Sequence, residues 1–429
     1  MRRSFILALP LCFAPSAVCA GEVSFSSASY ISASLAASPE VRQARAAADA
    51  ARNTYENSFI TGFLPEASLA FDTQLYDNET GKVRLRRNDT DSSATVNWNL
   101  FSTGQDSVAL KSARVALESA ELGLKQAKQA RSSAALDRFY SLLSSTDLLA
   151  VAEQDLADKL RQYELAKRLH EEGFKGLSDL LQSENNLKSS QLSLAQARAS
   201  RFKALIDFNS YINREPDAEA ALLYMRRKVE FAMPELALDL AFMQANLMDL
   251  QSARLSLESA QLSYKSTLLN NLPTFSVDAA WRKTGLLGLP EGSASPNPSY
   301  GVAASLSVPL GFFWADKYRN VSSAKLGEDR ARDALEQEER DARLALLKAR
   351  TNLDVQLKKF SLYELRSSIA RRKLDIVETN YKSGQATSTD LTVAQNDYLE
   401  AQNTFASAIY DTELMLAAYR MSRGELIWE

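Results

Sequence analysis

The sequence predicts a mainly α-helical protein with a smaller β portion, built from two internal repeats. The pattern G-x4-[ST]-D-L-x4-N occurs at Gly173 and again at Gly384, 211 residues later. Long stretches without proline precede each copy, and these are typical of long helices. Four shorter segments alternate between apolar and polar residues, which is typical of strands. A duplicated strand pair and helix pair indicates a symmetric assembly such as a tube.

Residues 1–20 have the form of a secretory signal peptide. Arg2 and Arg3 precede an apolar run, and the small residues that end at Ala20 favour cleavage there. Two alternatives, an N-terminal membrane anchor and a lipoprotein, are less favoured because prolines interrupt the run and the lipoprotein pattern is incomplete. Both cysteines, Cys12 and Cys19, lie in this segment, so we expect a mature chain without disulfides or thiol chemistry.

The composition argues against several classes of function. A formal net charge of −3 does not favour a nucleic-acid-binding protein. The single histidine, His170, makes a His/Cys metal cluster and a Ser-His catalytic triad improbable, so we expect no enzyme, cofactor or metal site. No later segment approaches 18 consecutive apolar residues. Any membrane-spanning part is therefore expected to consist of β-strands.

The helical stretches carry the repeat of a coiled coil. The first runs from about Gly104 to Glu172, roughly 100 Å at 1.5 Å per residue. It contains a seven-residue repeat of small side chains, which predicts a seam of close helix packing at Ala109, Ala113, Ala116, Ala120, Gly123, Ala127, Ala130 and Ala134. A stripe of alternating large and small residues runs from Leu391 to Met415, and its counterpart runs from Leu180 to Ala197.

Each glycine motif interrupts a helical stretch. Glycine, followed five residues later by Ser178 or Thr389, indicates a helix end, a tight turn and a capped new helix. We therefore predict two helical hairpins with tips at residues 173–180 and 384–391. Asp179 and Asp390, next in each motif, have a purely structural alternative as helix N-caps.

The four alternating segments predict two strand pairs, at 66–77 with 92–101 and at 274–284 with 300–310. With the hairpins they define repeats at 21–216 and 217–429. Each segment is about long enough to cross a bilayer when tilted, although a soluble sandwich also alternates in this way. Four strands do not close a spanning barrel, so the chain is expected to associate: two copies supply eight strands and three supply twelve.

This order of elements resembles the TolC family of outer-membrane efflux proteins. The resemblance is carried by Leu64-Pro65, Leu272-Pro273, Ser38-Pro39 and the tip sequences GFKGLSDLLQSEN and GQATSTDLTVAQN. It implies a homotrimer with a twelve-stranded barrel in outer-membrane lipid and a long periplasmic tunnel of antiparallel helices. It also implies a periplasmic adaptor protein and an inner-membrane pump as partners.

The resemblance further implies the site residues. Asp390 is expected to line the constricted entrance, and Tyr381 is expected to hold it shut with Asp179 as partner. Ala386 and Val393 replace a basic and an acidic residue that the family often has there, which suggests a less tightly latched entrance. The residues expected to contact the adaptor are Gly173, Leu177, Ser178, Leu180, Gly384, Thr389 and Leu391.

The predicted function is that of a passive conduit from the periplasm to the exterior for small molecules such as drugs or metal ions. Two alternatives remain open at this point. One keeps the fold and exports proteins in a type I secretion system. The other is a soluble periplasmic coiled-coil interaction protein whose strands form a small sandwich.

Overall fold

The computed structural model describes residues 24–73, 77–79, 82–84, 90–224, 231–284, 298–308 and 314–428. The predicted signal peptide at residues 1–20 lies outside these ranges, as do most of the two predicted strand-connecting loops. The eight described helices are α1 Ser27–Ala37, α2 Pro39–Phe63, α3 Gln105–Glu171, α4 Leu177–Tyr211, α5 Leu236–Asn246, α6 Met248–Leu269, α7 Trp314–Lys382 and α8 Ser388–Arg423. The described strands are β1 Ser24–Phe25, β2 Glu66–Thr73, β3 Asp77–Glu79, β4 Lys82–Arg84, β5 Thr90–Phe101, β6 Ala221–Leu222, β7 Thr274–Thr284 and β8 Ser299–Ser307.

The chain divides into two compact units, each assembled from three chain segments. Unit 1 takes its described residues from Met1–Ala37, Ala135–Lys228 and Arg366–Tyr410. Unit 2 takes its described residues from Ser38–Ala134, Val229–Leu365 and Asp411–Glu429. Both units combine segments from the two predicted repeats, so the division of the chain at residues 216 and 217 stays a prediction.

Unit 1 contains an aromatic core and both hairpin tips. Tyr30 and Phe208 are fully buried and stack with ring centroids 4.0 Å apart. The Tyr30 hydroxyl donates to the backbone oxygen of Phe208 at 2.9 Å, which satisfies the polar end of a buried ring. Phe139 of α3 completes the cluster. Because these rings come from α1, α3 and α4, they hold the start of the chain against the first hairpin.

The α8 stripe predicted from the sequence forms buried packing in this unit. Leu391, Ala394, Ala401 and Ala408 are each at most 5% exposed. Their spacing of three and seven residues puts them on one face of α8. Thr412 is also fully buried in the adjoining unit 2 segment, whereas Met415, the last residue of the stripe, is 40% exposed. The coiled-coil expectation for α8 therefore holds as far as Thr412.

Within a single chain, the small residues predicted to form the seam of α3 are not the residues that are buried. Val108, Val115 and Leu122 repeat every seven residues and are at most 6% exposed. Ala109 and Ala116, one position further along the helix, are exposed. Larger side chains bury more apolar area, so the helix turns its valine and leucine positions towards the interior. The alanine positions are left on the flank of that seam.

None of the helices in the described part of the chain combines the length and the apolar character needed to cross a membrane.

The main sheet of unit 2 has four strands in the order β2-β5-β7-β8, all antiparallel. Two strand pairs from distant parts of the sequence therefore join where β5 meets β7. The register puts Trp98 opposite Val277 and Trp281 opposite Tyr300. Of the predicted segment 66–77, residues 74–76 lie outside the described residues.

One face of this sheet is apolar and uncovered. Because side chains alternate between the two faces of a strand, the register collects the apolar residues of all four strands on the same face. Leu69, Phe71, Tyr300, Val302 and Leu306 are between 60% and 79% exposed. An exposed apolar face of this extent marks a surface that contacts lipid or another protein.

Candidate functional site at the hairpin tips

The first hairpin tip is a helix end built around Gly173. Its φ of +79° lies in the left-handed region that favours glycine. The amide of Gly173 donates to the His170 oxygen at 3.0 Å, and the amide of Phe174 donates to the Leu169 oxygen at 2.8 Å. This pair of bonds defines a Schellman motif, which satisfies the last carbonyls of α3 and turns the chain.

The second tip repeats this geometry at Gly384, whose φ is also +79°. The amide of Gly384 donates to the Tyr381 oxygen at 3.2 Å, and the amide of Gln385 donates to the Asn380 oxygen at 2.8 Å. The prediction that both glycines end a helix at a hairpin tip agrees with these contacts. The reason is local: only glycine adopts this backbone conformation without strain.

The helices restart two residues earlier than the sequence patterns suggest. The residues before α4 and α8 are Gly176 and Thr387, so Ser178 and Thr389 lie inside the first turn and are not caps. Asp179 and Asp390 also lie in the first turn, and their expected alternative role as N-cap residues is wrong. Asp179 and Asp390 each lie three residues after the cap, where an acidic side chain still interacts favourably with the helix N-terminus.

The two tips differ in how that first turn is closed. At the second tip, Asp390 Oδ2 accepts from the Thr387 amide at 3.0 Å and from its hydroxyl at 2.7 Å, while the Asp390 amide donates to the same hydroxyl at 3.1 Å. This is a capping box. The Thr387 side chain and then its backbone N–H hold the pKa of Asp390 below its usual value. Gly176 has no side chain with which to form this arrangement at the first tip.

The carboxylate of Asp179 instead binds the other hairpin. Its Oδ1 accepts from the Ser388 hydroxyl at 2.8 Å. A second link is electrostatic, since Lys175 Nζ lies 4.6 Å from the centroid of the Tyr381 ring. Farther along the helices, the Asn186 amide donates to Thr392 Oγ1 at 3.2 Å. Two hydrogen bonds and one cation–π contact therefore join the two hairpins at and near their tips.

Tyr381 lies inside this junction and not on its surface. It is 7% exposed and packs with Leu374, Leu391 and Ala394, against which Ala386 also packs. Burial, followed by the nearby charge of Asp179, raises the pKa of Tyr381. No hydrogen bond between Tyr381 and Asp179 occurs among the described residues, so their association within one chain is through the field of the carboxylate.

The residues predicted to contact an adaptor fall into two groups. Leu177, Ser178, Gly384 and Thr389 are exposed at the tips, as is Gly173. Leu391 is buried in the cluster around Tyr381, and Leu180 is half-buried. Two exposed apolar neighbours were not predicted from the sequence: Phe174 is 75% exposed and Leu181 is 54% exposed.

The remaining chemistry of the tips is structural. His170 Nδ1 lies 2.9 Å from the backbone oxygen of Lys175, which ties the imidazole to the turn. Within the described ranges, no group of three or more His, Cys, Asp or Glu side chains is arranged to hold a metal ion. Lys175 and Ser388, which join the hairpins, were missed from the sequence. The only signal for them was their position inside the two glycine motifs.

Comparison with protein families gives the identity of this architecture. The model described as "Outer membrane efflux protein" matches residues 30–214 and 243–420, and each range contains one hairpin tip. The chain belongs to the outer membrane efflux protein family. Members of the outer membrane efflux protein family are channel proteins, so the predicted function as an outer-membrane efflux channel of tripartite systems is confirmed. The family also gives the outer membrane as the location.

Solved structures share the fold of this outer membrane efflux protein. The outer-membrane channel OprN has 18% sequence identity and a TM-score of 0.76, over 93% of this chain and 89% of that chain. CusC, described for its folding and transmembrane channel formation, has 14% identity and a TM-score of 0.76, over 93% and 92%. The outer membrane protein VceC from Vibrio cholerae has 17% identity and a TM-score of 0.74, over 93% and 96%. These likenesses confirm the predicted fold class, while a comparison with curated protein sequences found no match.

Proposed function

We propose that three copies of this chain form a passive export duct whose helical hairpins extend into the periplasm. A periplasmic adaptor protein binds the hairpin tips and links them to an inner-membrane pump, which supplies the energy. The observation that carries this proposal is the contact between the two tips in a member of the outer membrane efflux protein family. The cargo we propose is a small molecule, such as a drug or a metal ion, because the family is one of efflux proteins.

The sheet supports assembly into a closed barrel. Its apolar face is exposed, and β2 and β8 are the outer strands of the described sheet. Lipid does not tolerate unpaired backbone groups, so an open four-stranded sheet is not stable in a bilayer. Pairing β8 of one copy with β2 of the next removes both edges. Three copies then supply twelve strands.

The hairpins carry two exposed apolar faces that fit this assembly. On α4 these residues are Leu181 and Leu192, which are 54% and 61% exposed. On α7 they are Ile369 and Ile376, which are 57% and 62% exposed. A cyclic assembly with a heterologous interface requires two different faces, because each copy contacts one neighbour through the first face and the other neighbour through the second.

The positions of these residues along the helices also match. Leu181 lies four residues from the start of α4, about 6 Å along the helix, and Ile376 lies six residues from the end of α7, about 9 Å along it, so their heights above the tips differ by about 3 Å. Glu184 and Arg372 have opposite charges and lie about 10 Å from the start of α4 and about 15 Å from the end of α7. Around an axis parallel to the hairpins, residues at similar heights meet in a cyclic assembly. We therefore propose that α4 of one copy packs against α7 of the next.

Disulfide cross-linking tests this arrangement. Both cysteines of the sequence lie within the predicted signal peptide. The thiols that the double variant Leu181→Cys/Ile376→Cys introduces are therefore expected to be those of the mature chain. Oxidation in outer-membrane extracts is expected to give covalent dimers and trimers on non-reducing gels. The control pair Leu181→Cys/Leu362→Cys places the second thiol about 21 Å farther along α7 and is expected to remain monomeric. Monomers from both pairs contradict the α4–α7 interface.

Planar bilayers test the function itself. The detergent-extracted wild-type protein is expected to run as a heat-resistant trimer and to give a small resting conductance, because the tips are closed. A freely soluble periplasmic protein without conductance supports instead the alternative of a coiled-coil interaction protein.

We also propose that Asp390 lines the entrance and that Tyr381 and Asp179 keep it closed. Asp390 is exposed and its pKa is depressed, so it is charged at neutral pH. Three such carboxylates around one axis attract cations. The variant Asp390→Asn is expected to reduce selectivity for cations in the reversal potential measured under a salt gradient. An unchanged reversal potential contradicts the position of Asp390 at the entrance.

A further inference from the structure

Lys159 is a buried charge that the proposed gate does not use. It lies in α3 of the first hairpin and is 5% exposed. Its Nζ donates to Oε1 of Gln395 in α8, at 2.6 Å, and Gln395 is itself buried at 8% exposure. Among the described residues, this neutral amide oxygen is the hydrogen-bond acceptor of the ammonium group. A single contact between the two hairpins thus buries a cation against an uncharged partner.

The carboxylates on the same helix do not form an ion pair with Lys159 within the described residues. Asp155 Oδ2 accepts from the Ser190 hydroxyl of α4 at 2.7 Å. Asp158 pairs with Arg161, one turn along α3. Both acids lie close enough to favour the charged lysine, but loss of hydration is the larger influence.

The other packed helices bring no acid to the ammonium group among the described contacts. From α8 the partner is Gln395, and the charges that act on Lys159 are those of Asp155 and Asp158 on its own helix. Arg371 of α7 lies over the Tyr398 ring at 5.3 Å and feels the charge of Asp158. Another cation does not compensate the buried lysine. Desolvation accordingly lowers the pKa of Lys159 in this packing.

A buried ammonium group without a close counter-ion opposes the packing that buries it. Removing a charge from water is costly unless an opposite charge or a complete set of hydrogen bonds replaces the hydration. Lys159 has three donors, and one neutral acceptor satisfies only part of this requirement. Any movement that separates α3 from α8 admits water to Nζ and recovers the lost hydration. The contact is therefore least favourable in the closed arrangement.

We propose that Lys159 is a gating residue that biases the two hairpins of this chain towards separation. Its partner across the boundary is Gln395, and the two act where the first hairpin packs against the second. This inference rests on the proposed function as a duct that opens when the hairpins untwist. The inference adds a residue on α3, away from the tips, that affects how easily the two hairpins separate.

The variants Lys159→Met and Gln395→Glu test the proposal. Methionine keeps the unbranched shape and removes the charge, whereas glutamate supplies the missing counter-ion. Both are expected to favour the closed arrangement, so the open probability in planar bilayers falls on the order of fivefold. Both are also expected to raise the Tm of the detergent-solubilised protein by several degrees. A clamp role for the hydrogen bond predicts the reverse for Lys159→Met, because that variant loses the bond.

Lys167→Met is the matched control, since Lys167 is exposed on the same helix and undergoes the same chemical change. It is expected to leave both readouts at the wild-type values. A lower Tm or a higher open probability for Lys159→Met, or no difference from the control, overturns the proposal. If the wild-type protein does not conduct while Lys159→Met still raises Tm, the duct function fails and the buried-charge argument survives.

Discussion

A buried ionic network in unit 2 gives the most direct test of what stabilises this chain. Asp239 of α5 is fully buried, and its Oδ2 accepts from Arg350 Nη1 and from the Tyr419 hydroxyl, each at 2.6 Å. Arg423 Nε lies 3.2 Å from Oδ1, close enough for an ion pair but not aligned for a hydrogen bond. Burial first, and then the hydrogen bond to Asp239, raise the pKa of Tyr419, so the phenol stays protonated. Asp239 is thus the common anion of three side chains.

The substitution Asp239→Ala removes this anion and leaves two arginines beside each other. Breaking a buried pair by removing one partner costs about 3–5 kcal/mol. The side chains of Arg350 and Arg423 are 25% and 19% exposed, so water relieves part of the repulsion and the lower end applies, about 3 kcal/mol. Unit 2 contains about 250 residues, for which the unfolding entropy is about 0.5 kcal/mol per kelvin. The expected decrease in Tm is about 6 °C.

Circular dichroism melts of the detergent-solubilised protein measure this change. Asp354→Ala is the control, because Asp354 forms an exposed ion pair with Lys358 that contributes less than about 0.5 kcal/mol. Its Tm is expected to move by about 1 °C. Asp239→Asn keeps an acceptor for Tyr419 without the charge and is expected to lose most of the same stability. If Asp239→Ala and Asp354→Ala have the same Tm, the network does not stabilise unit 2.

Three further predictions concern single positions. Gly424 has a φ of +95°, and a Cβ there lies 2.8 Å from backbone atoms of Asn246 and Leu247, at the junction of α5 and α6. Gly424→Ala is therefore expected to lower Tm, whereas Gly327→Ala, with open space around it in α7, is expected to raise it. Equal Tm values for the two variants contradict the steric argument. Asp179→Ala and Ser388→Ala remove the same hydrogen bond, so each is expected to raise resting conductance, and the double variant is expected to add little; additive increases contradict a shared contact. Because the pKa of Asp390 is depressed, its contribution to stability is present above the usual carboxyl pKa and is lost as pH falls through the depressed value. The Tm difference between wild type and Asp390→Ala is therefore expected to shrink on acidification. A Tm difference that stays constant with pH contradicts this prediction.

The parts of the fold that depend on local chemistry could be predicted from the sequence. Gly173 and Gly384 end their helices because a left-handed backbone is required there. The alternating segments form strands because most of their apolar residues collect on one face of the sheet. Ser38 caps α2, and Pro39 occupies its first position, where a missing amide proton has no cost.

The parts that depend on contacts between distant residues could not be predicted. Lys159 occurs among many charged residues on α3, and nothing in its spacing distinguishes it from solvated positions. Asp239 had a signal that was not used: it is the single charged residue in the apolar helix LALDLAFMQAN, where an acid is either exposed or bound by buried cations. The small-residue stripe of α3 was assigned to the seam because periodicity fixes a repeat but not which of two adjacent faces is buried.

The difference between the two tips shows how a duplicated motif joins the two hairpins, which is the contact that we propose as a latch. In the second copy Thr387 and Asp390 satisfy each other, whereas in the first copy Gly176 occupies the position equivalent to Thr387 and has no hydroxyl to donate to Asp179. Asp179 is therefore available to Ser388 on the other hairpin. The carboxylate that closes the first turn of α8 in one copy of the motif thus makes a contact between hairpins in the other copy.

Restoring that cap is expected to weaken the latch. Gly176 has a φ of −76° and a ψ of 162°, and a Cβ there meets nothing within 4 Å, so Gly176→Thr fits without strain. The new hydroxyl, together with the backbone N–H that residue 176 already has, competes with Ser388 for the Asp179 carboxylate, as Thr387 binds Asp390. Helix stability then rises while resting conductance in planar bilayers also rises. A more stable variant with unchanged conductance means that Asp179 serves its own helix alone, and that the bond to Ser388 does not close the entrance.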